Sequence, residues 1–181
     1  MIFHPTTLAD AWLIDLEKRG DDRGWFARTM DAREFEARGM DHVFVQQNAS
    51  VSAKAGTVRG MHFQRPPDAE AKLVRCVRGR LLDVIVDLRP DSASYLRHEA
   101  FELSEGGQML YVPRGFAHGF QTLVDDVEAN YLVSAFYAPG AEGGLRHDDP
   151  RLGIRWPLPV SVLSTKDASW PLLDAGNRGL G

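Results

Sequence analysis

Apolar and polar residues alternate with a period of two along most of the chain from about residue 40 onward. This alternation is typical of β-strands, because successive side chains of a strand point to opposite faces of a sheet. Turn-forming residues interrupt the pattern at short intervals. The predicted strands cover residues 43–48, 58–64, 72–77, 81–88, 98–103, 109–112, 118–123 and 128–137. Many short strands between closely spaced turns predict an all-β sandwich or barrel rather than a parallel α/β sheet.

The segment 81–88 departs from simple alternation, because apolar residues occupy both of its faces. Such a strand is expected where both faces of a sheet are covered. Arg78-Gly79-Arg80 predicts a tight turn just before it.

The N-terminal part predicts two extended pieces and one short helix. Residues 8–16 form the first piece, and residues 23–26 begin the second after a turn. Asp31 is placed to cap a short helix that runs through Glu36 and stops at Gly39.

The C-terminal part, from Pro139 onward, is rich in Gly, Pro and Asp and predicts an irregular tail. Ile154 and Trp156 are its apolar anchors, and we expect them to pack back on the barrel. The sequence therefore predicts one domain over residues 1–181, with a barrel core at about 40–138.

Composition narrows the functional classes. A net charge of −4 argues against general nucleic-acid binding, which needs a basic surface. Cys76 is the only cysteine, so neither an intrachain disulfide nor a cysteine-based metal site is expected. No apolar run is long enough to span a bilayer, and the N-terminus lacks the pattern of a signal peptide. We expect a cytoplasmic protein without a membrane partner.

Candidate chemistry centres on residues 57–72, which bring Arg59, His62 and Lys72 into one strand-and-turn segment. In a regular strand, His62 shares a face with Gly60, and Arg59 lies on the opposite face. Gly60 permits a close backbone approach. A surface hairpin with solvated charges is the ordinary alternative. It is weakened by residues 112–119, where a second Arg-Gly pair precedes His118.

Two histidines about a barrel's depth apart, His62 and His118, first suggest a metal site. A metal-binding jelly roll usually supplies an H-x-H pair, but here the pair is His62-Phe63-Gln64. Lys72 stands where a further ligand would be wanted, and its positive charge would repel a divalent ion. We therefore predict no metal and no cofactor.

Without a metal, His62 is a candidate general base, and Asp167 in the tail is a possible partner for its other ring nitrogen. Tyr131 and Tyr137 fall on one face of the strand predicted at 128–137. A phenol facing a pocket can donate a proton, although the residues alone favour ordinary packing for both tyrosines. Three cations suit a phosphorylated or diphosphate-bearing ligand, namely Arg23, Arg59 and Lys72.

Several segments together resemble the dTDP-4-dehydrorhamnose 3,5-epimerase family of cupin-type jelly rolls. They are G-D-D-R-G-W-F from Gly20, R-G-M-H-F-Q from Arg59, K-L-V-R-C from Lys72, P-R-G-F-A-H-G-F from Pro113, G-I-R-W-P from Gly153 and S-T-K-D from Ser164. The segments follow the order of the family at close to its spacing. The resemblance implies a metal-free homodimer that moves protons on the carbons flanking the ketone of a nucleotide-linked 4-keto-6-deoxy sugar.

The resemblance also implies roles for individual residues. His62 is the base, partnered by Asp167, and Tyr131 reprotonates the opposite face. Lys72 stabilises the enolate oxygen, and Tyr137 stacks on the nucleobase. The other implied substrate contacts are Arg23, Arg59, His118, Gln46, Asn48, Glu142 and Lys166.

Two positions depart from the pattern of the family. Arg28 and Gln47 stand where an acidic residue is common in the nucleotide pocket. Thymine presents an N–H at N3, which an acid can accept, whereas cytosine presents an acceptor there, which an arginine can serve. The sequence therefore leaves thymine and cytosine open as the bound base.

Relatives also act at carbon 3, carbon 5 or both, and the pair of His62 and Tyr131 favours carbon 5 at least. A sugar-nucleotide-binding protein without turnover and a metal-dependent cupin oxygenase or isomerase remain alternatives, since one fold hosts many functions.

Overall fold

The computed structural model describes residues 1–174 and Leu180. Strands dominate it, and two short helices accompany them. The strands are β1 (Ile2–Pro5), β2 (Trp12–Asp15), β3 (Arg19–Asp21), β4 (Gly24–Phe26), β5 (Gln46–Ser52), β6 (Val58–Gln64), β7 (Lys72–Arg78), β8 (Arg80–Asp87), β9 (His98–Ser104), β10 (Met109–Val112), β11 (Phe116–Thr122), β12 (Val127–Val133) and β13 (Glu142–Gly144). The helices are α1 (Ala32–Glu36) and α2 (Thr165–Ala168).

Two antiparallel sheets make up the barrel. The six-stranded sheet has the order β1-β2-β10-β7-β12-β5, and the five-stranded sheet has the order β13-β6-β11-β8-β9. A separate hairpin pairs β3 with β4. From β5 to β13, consecutive strands alternate between the two sheets, except that β8 and β9 share one, as in a jelly roll. The predicted all-β, cupin-type jelly roll with a short N-terminal helix is confirmed.

The main core lies between the two sheets. Val74 and Leu110 project into it from the six-stranded sheet, and Leu81, Ile85 and Phe120 project from the five-stranded sheet. All five side chains are almost fully buried. Burial of an apolar side chain of this size stabilises a fold by about 1.5–3 kcal/mol.

Two outer layers cover the other faces of the sheets. Val84 and Val86 of β8 pack outward against tail residues that include Ile154 and Trp156. β8 is therefore apolar on both faces because both faces of its sheet are covered, as the sequence predicted. The predicted packing of Ile154 and Trp156 on the barrel is also confirmed.

Helix α1 supplies the outer layer of the six-stranded sheet. Asp31 caps it by accepting hydrogen bonds from the backbone N–H groups of Arg33 and Glu34. Phe35 is fully buried and meets Phe3 and Tyr111 edge to face. The predicted helix, its cap and its end before Gly39 are confirmed.

Several predicted boundaries are wrong. The opening strand over 8–16 is replaced by β1 and β2, and β5 begins at Gln46 rather than at residue 43. β12 ends at Val133, so Tyr137 lies beyond the strand on which it was placed. The tail, predicted to be irregular, contains helix α2. Its four residues are too few to show a helical pattern in the sequence.

The six-stranded sheet includes β1 and β2, and the five-stranded sheet includes β13, so both extend beyond the predicted core limits of 40–138. The organisation as one domain over 1–181 stays a prediction. Within the described residues, no helix is long and apolar enough to cross a membrane.

Candidate active site

A bulge in β6 brings Arg59 and His62 to the same side of the sheet. His118 of β11 lies opposite His62, and Phe120 lies opposite Arg59. Two steps on β11 thus match three steps on β6, and the extra residue reverses the alternation of side chains. The expectation that Arg59 and His62 face opposite sides is therefore wrong.

Gly60 stands at this bulge with a φ of +126°. A Cβ at Gly60 would lie 2.5 Å from the Cα of Gly119, so the two backbones approach more closely than any side chain would allow. The close backbone approach predicted at Gly60 is present.

The bulge borders a cavity of two lobes between the sheets. Their volumes are about 200 Å³ and 370 Å³. His62, Lys72 and Tyr131 line both lobes. Three of the four residues predicted to be catalytic therefore stand at the junction of the lobes.

Asp167, the fourth residue predicted to be catalytic, contacts His62. The distance from His62 Nε2 to Asp167 Oδ1 is 2.6 Å. Burial alone would raise the pKa of Asp167, but hydrogen bonds from His62, the Gly60 N–H and Ser164 outweigh it and hold the pKa below its ordinary value. An ionised carboxylate only accepts hydrogen bonds, so Nε2 carries the ring hydrogen and the neutral ring has its lone pair on Nδ1.

Helix α2 explains how Asp167 reaches His62 across 105 residues of sequence. Ser164 caps the helix and accepts a hydrogen bond from the backbone N–H of Asp167. The side chain of Asp167 is only 6% exposed. The cap thus holds the carboxylate against β6.

Tyr131 lies on the six-stranded sheet, whereas His62 lies on the five-stranded sheet that faces it. Burial raises the pKa of the Tyr131 phenol, the charge of Arg59 lowers it, and the charge of Glu70 raises it; the net shift is upward. The phenol is therefore protonated at neutral pH and can act as an acid.

Lys72 links the two sheets at the junction. It lies on β7, and its Nζ donates to the backbone carbonyl of His62 at 3.3 Å. The Nζ also lies 3.2 Å from Oε1 of Glu70. The Lys72 side chain is 9% exposed, so its ammonium is held inside the cavity wall by two acceptors.

His118 forms a second histidine–carboxylate pair. Its Nε2 lies 2.9 Å from Oδ2 of Asp83, which is fully buried on β8. Sequence reasoning overlooked Asp83, although a carboxylate flanked by apolar residues in β8 was the available signal. His118 lines the larger lobe, so the pair can present its other ring nitrogen to a ligand.

Tyr137, Gln46, Glu142 and Lys166 form the rim of the cavity. The Tyr137 hydroxyl donates to Glu142 at 3.0 Å, and Gln46 accepts from the backbone N–H of Tyr137 at 2.8 Å. Burial raises the pKa of Glu142, but contacts with Lys166 and Tyr137 outweigh it and hold the pKa below its ordinary value. The exposed ring of Tyr137 is available for stacking.

Arg59 and Asn48 complete the polar lining. Arg59 bonds only neutral groups on β5: Ser52 Oγ at 3.0 Å and the Val51 carbonyl at 2.9 Å. Within the described part of the chain, no carboxylate forms an ion pair with Arg59. Its positive charge is therefore available to an anionic ligand. Asn48 lines the smaller lobe.

Three predicted substrate contacts lie away from both lobes in the single chain. Arg23 is at the tip of the β3–β4 hairpin, where it pairs with Asp21. Arg28 pairs with Asp31 at 3.1 Å near α1. Gln47 faces the opposite side of β5 from Gln46 and Asn48, because neighbouring residues of a strand alternate.

The donor set does not suit a metal. No three His, Cys, Asp or Glu side chains within residues 1–174 and Leu180 lie close enough to share an ion. Gln64 is occupied, since its Nε2 donates to the Asp68 carbonyl at 2.8 Å and its Oε1 accepts from the Ala138 N–H at 2.6 Å. Lys72, whose positive charge would repel a divalent ion, lines both lobes of the cavity. The absence of a metal stays a prediction.

Comparison with known proteins points to one family. The profile of the family described as dTDP-4-dehydrorhamnose 3,5-epimerase matches residues 5–175. A dTDP-4-dehydrorhamnose 3,5-epimerase of Sinorhizobium fredii is 47% identical over 175 residues, which cover 96% of this chain and 90% of the relative.

Solved structures agree as well. The dTDP-4-dehydrorhamnose 3,5-epimerase of Elizabethkingia anophelis superimposes with a TM-score of 0.93, at 38% identity and 98% coverage of each chain. The Bacillus anthracis enzyme of the same name, with TDP and PPi bound, gives a TM-score of 0.91 at 42% identity, covering 95% of this chain and 99% of that one. The chain therefore belongs to the dTDP-4-dehydrorhamnose 3,5-epimerase family.

Proposed function

We propose that the protein is an isomerase that epimerises a nucleotide-linked 4-keto-6-deoxy sugar, converting dTDP-4-dehydro-6-deoxy-D-glucose to dTDP-4-dehydro-L-rhamnose. One observation carries the proposal. His62 and Tyr131 stand on facing sheets and line the same two-lobed cavity, which Lys72 also lines. Inversion of a carbon needs a base on one face and an acid on the other, which this arrangement supplies.

In the first step, Nδ1 of His62 removes the proton from a carbon next to the ketone. The electron pair of that C–H bond moves onto the ketone oxygen and forms an enolate. A hydrogen next to a ketone is only weakly acidic, so a neutral imidazole needs this oxygen stabilised. Lys72 would donate a hydrogen bond to it.

In the second step, the phenol of Tyr131 gives its proton to the opposite face of the same carbon, and the ketone re-forms. The step leaves a protonated His62 and a Tyr131 phenolate. Both groups return to their starting states by proton exchange with solvent. One proton leaves the sugar and one enters it, so solvent deuterium should mark every turnover.

The remaining cavity residues suit a nucleoside diphosphate. Arg59 has no anionic partner in the described chain and lies beside the larger lobe, where it would hold the diphosphate. We propose Gln46, Asn48, His118, Glu142 and Lys166 as further substrate contacts, and Tyr137 as the residue that stacks on the base.

Thymine is the proposed base, with cytosine as the alternative. The two departures that raised the question, Arg28 and Gln47, lie away from the cavity of their own chain. Any contact of theirs with the base would need a second subunit. The L-rhamnose configuration requires inversion at both carbon 5 and carbon 3, and inversion at only one of these carbons is the alternative.

We also propose a homodimer. Phe26 of the β3–β4 hairpin is 69% exposed and Trp25 is 51% exposed, and the hairpin pairs with no other strand in the described chain. Exposed aromatic residues on an isolated hairpin are typical of an interaction surface. The family resemblance implies that the partner on this surface is a second copy of the chain. The cytoplasmic location also stays a prediction.

The proposal is tested by NMR in deuterated water with dTDP- and CDP-linked 4-keto-6-deoxyglucose. We expect the dTDP substrate to gain deuterium at carbons 3 and 5 and to form the L-rhamnose configuration, whereas deuterium at one carbon alone would identify a single-site epimerase. Binding without incorporation from either substrate would identify a binding protein instead.

Turnover should also survive dialysis against a chelator, because Lys72 and Gln64 occupy the places of two metal ligands. Loss of activity that one divalent ion restores would contradict the metal-free mechanism.

A further inference from the structure

Glu70 is a buried carboxylate in the wall of the smaller lobe to which the mechanism gives no part. Its side chain is 8% exposed, and its Oε1 lies 3.2 Å from Nζ of Lys72. The Lys72 side chain is 9% exposed, so both members of the ion pair are buried. The other carboxylate oxygen of Glu70, Oε2, is buried and has no hydrogen-bond partner among the described residues.

Stability does not account for this pair. Removing two charges from water is unfavourable for each ion, and their mutual attraction often fails to offset it. A buried oxygen without a partner is a further destabilising feature. A carboxylate in such a place therefore calls for a functional explanation.

The hydrogen bonds of Lys72 supply that explanation. An ammonium group has three N–H donors. One faces Glu70 Oε1, and a second reaches the backbone carbonyl of His62 at 3.3 Å. These two acceptors leave the third N–H of Lys72 free. Because Lys72 lines both lobes, this N–H is available to a ligand in the cavity. Without Glu70, a flexible four-carbon side chain would lose one of its two anchors.

We propose that Glu70 is a positioning residue, which holds Lys72 so that its third N–H meets the ketone oxygen of the substrate. This inference rests on the proposed function, because it needs an enolate oxygen at the junction of the lobes. Misplacement of a catalytic group by about 1 Å can cost about 10²-fold in rate.

The test compares Glu70→Met, which removes the acceptor at similar length, with Glu70→Gln, which keeps an acceptor oxygen. We expect Glu70→Met to lower kcat about 10- to 100-fold, with KM changed by less than about threefold. Deuterium exchange and epimerisation should fall together, because both pass through the enolate. Glu70→Gln should keep kcat within about threefold of wild type.

The matched control is Glu102→Met. Glu102 pairs with Arg80 at 3.2 Å on the surface, and both side chains are 53% exposed. This variant should retain wild-type kcat. Thermal unfolding and calorimetric binding of dTDP separate a folding defect from a catalytic one. A Glu70→Met protein that melts earlier but keeps its kcat would overturn the proposal.

A double-mutant cycle with Lys72→Met tests whether Glu70 acts through the lysine. In the Lys72→Met background, adding Glu70→Met should lower kcat by a further factor of less than about two. Equal losses in both backgrounds would show that Glu70 acts independently and would contradict the proposal.

Crystal structures of the variants give a readout that does not need activity. In Glu70→Met, Lys72 Nζ should leave the His62 carbonyl, whereas in Glu102→Met it should stay. An unmoved Nζ would overturn the positioning role even if the wild-type protein showed no epimerisation. Absence of exchange by the wild type would instead contradict the proposed function alone.

Discussion

At the scale of residues, His62 and Asp167 act as one unit although they are far apart in the sequence. The carboxylate fixes which ring nitrogen of His62 carries hydrogen, and it accepts from the Gly60 N–H as well, at 3.4 Å. Stabilisation of the ring in its protonated form follows from the same contact. The orientation and tautomer of His62 thus depend on a residue from the tail.

Replacement of this carboxylate should therefore damage catalysis without removing the base. We expect Asp167→Asn to lower kcat by about 10²–10⁴-fold, because an amide neither fixes the tautomer nor stabilises the imidazolium. Asp148→Asn is the control, since Asp148 pairs with Arg146 on the surface. Steady-state kinetics that give both variants similar activity would contradict the role of Asp167.

Asp167 should also give the fold a dependence on acid pH. Its pKa is lowered from the ordinary value of 3.8, so its contribution to stability is complete above that value and is lost as the pH falls through the lowered pKa. Each unit of lowering corresponds to about 1.4 kcal/mol.

Urea unfolding of the wild type and Asp167→Asn between pH 7 and about pH 2 checks this. The gap in unfolding free energy should narrow as the pH falls below about 4. A gap that stays constant over this range would contradict the assignment.

Residue chemistry predicted only part of the site. His62, Lys72 and the contact with Asp167 follow from residue types within recognisable segments. Glu70 and Asp83 were overlooked, because a carboxylate is ordinarily a surface residue. The apolar neighbours of Asp83 signalled its burial, whereas the neighbours of Glu70 gave no such signal.

At the scale of elements, the crossing of β6 and β11 shapes the cavity. The bulge at Gly60 turns Arg59 toward His62, and Gly119 lets the two strands approach. The site thus depends on a backbone arrangement that a side chain at either position would disturb.

Gly60→Ala should therefore destabilise the fold and disorder the site. A φ of +126° is strained for alanine, and its Cβ would meet Gly119. We expect a loss of at least about 1–3 kcal/mol in unfolding free energy, measured by urea denaturation. Gly140→Ala, whose Cβ would meet nothing within 4 Å, should be nearly neutral. Equal stability of the two variants would refute the strain argument.

Periodicity predicted most strands but not their irregularities. The period of two located β6 to β11, and Met109–Val112 was predicted to the residue. The bulge in β6 and the early end of β12 depend on contacts with neighbouring strands, which alternation does not encode.

At the scale of the whole molecule, a second subunit would explain the predicted contacts that one chain does not bring together. Arg23 lies on a hairpin that leaves Trp25 and Phe26 exposed. An edge strand, β5, also carries the exposed Val51. Sequence reasoning on a single chain could not decide which subunit a side chain serves.

Light scattering at micromolar concentration should give twice the chain mass, and a monomer would contradict the dimer.

Subunit mixing tests whether Arg23 serves the cavity of the partner. Arg23→Ala and His62→Asn should each have low activity, whereas a refolded equal mixture should regain about a quarter of wild-type activity. Half of its dimers would be mixed, and each would contain one intact site. No recovery would place Arg23 outside the partner's site.

The central claim is that His62 and Tyr131 move protons on opposite faces of one carbon, and the ratio of deuterium exchange to inversion tests it most directly. NMR in deuterated water should show that His62→Asn abolishes both processes. Tyr131→Phe should keep exchange, because the enolate still forms and is reprotonated from the His62 side, while inversion at carbon 5 falls about 10²–10⁴-fold. If Tyr131→Phe lowers exchange as much as inversion, or changes neither, Tyr131 is not the acid and the account is contradicted.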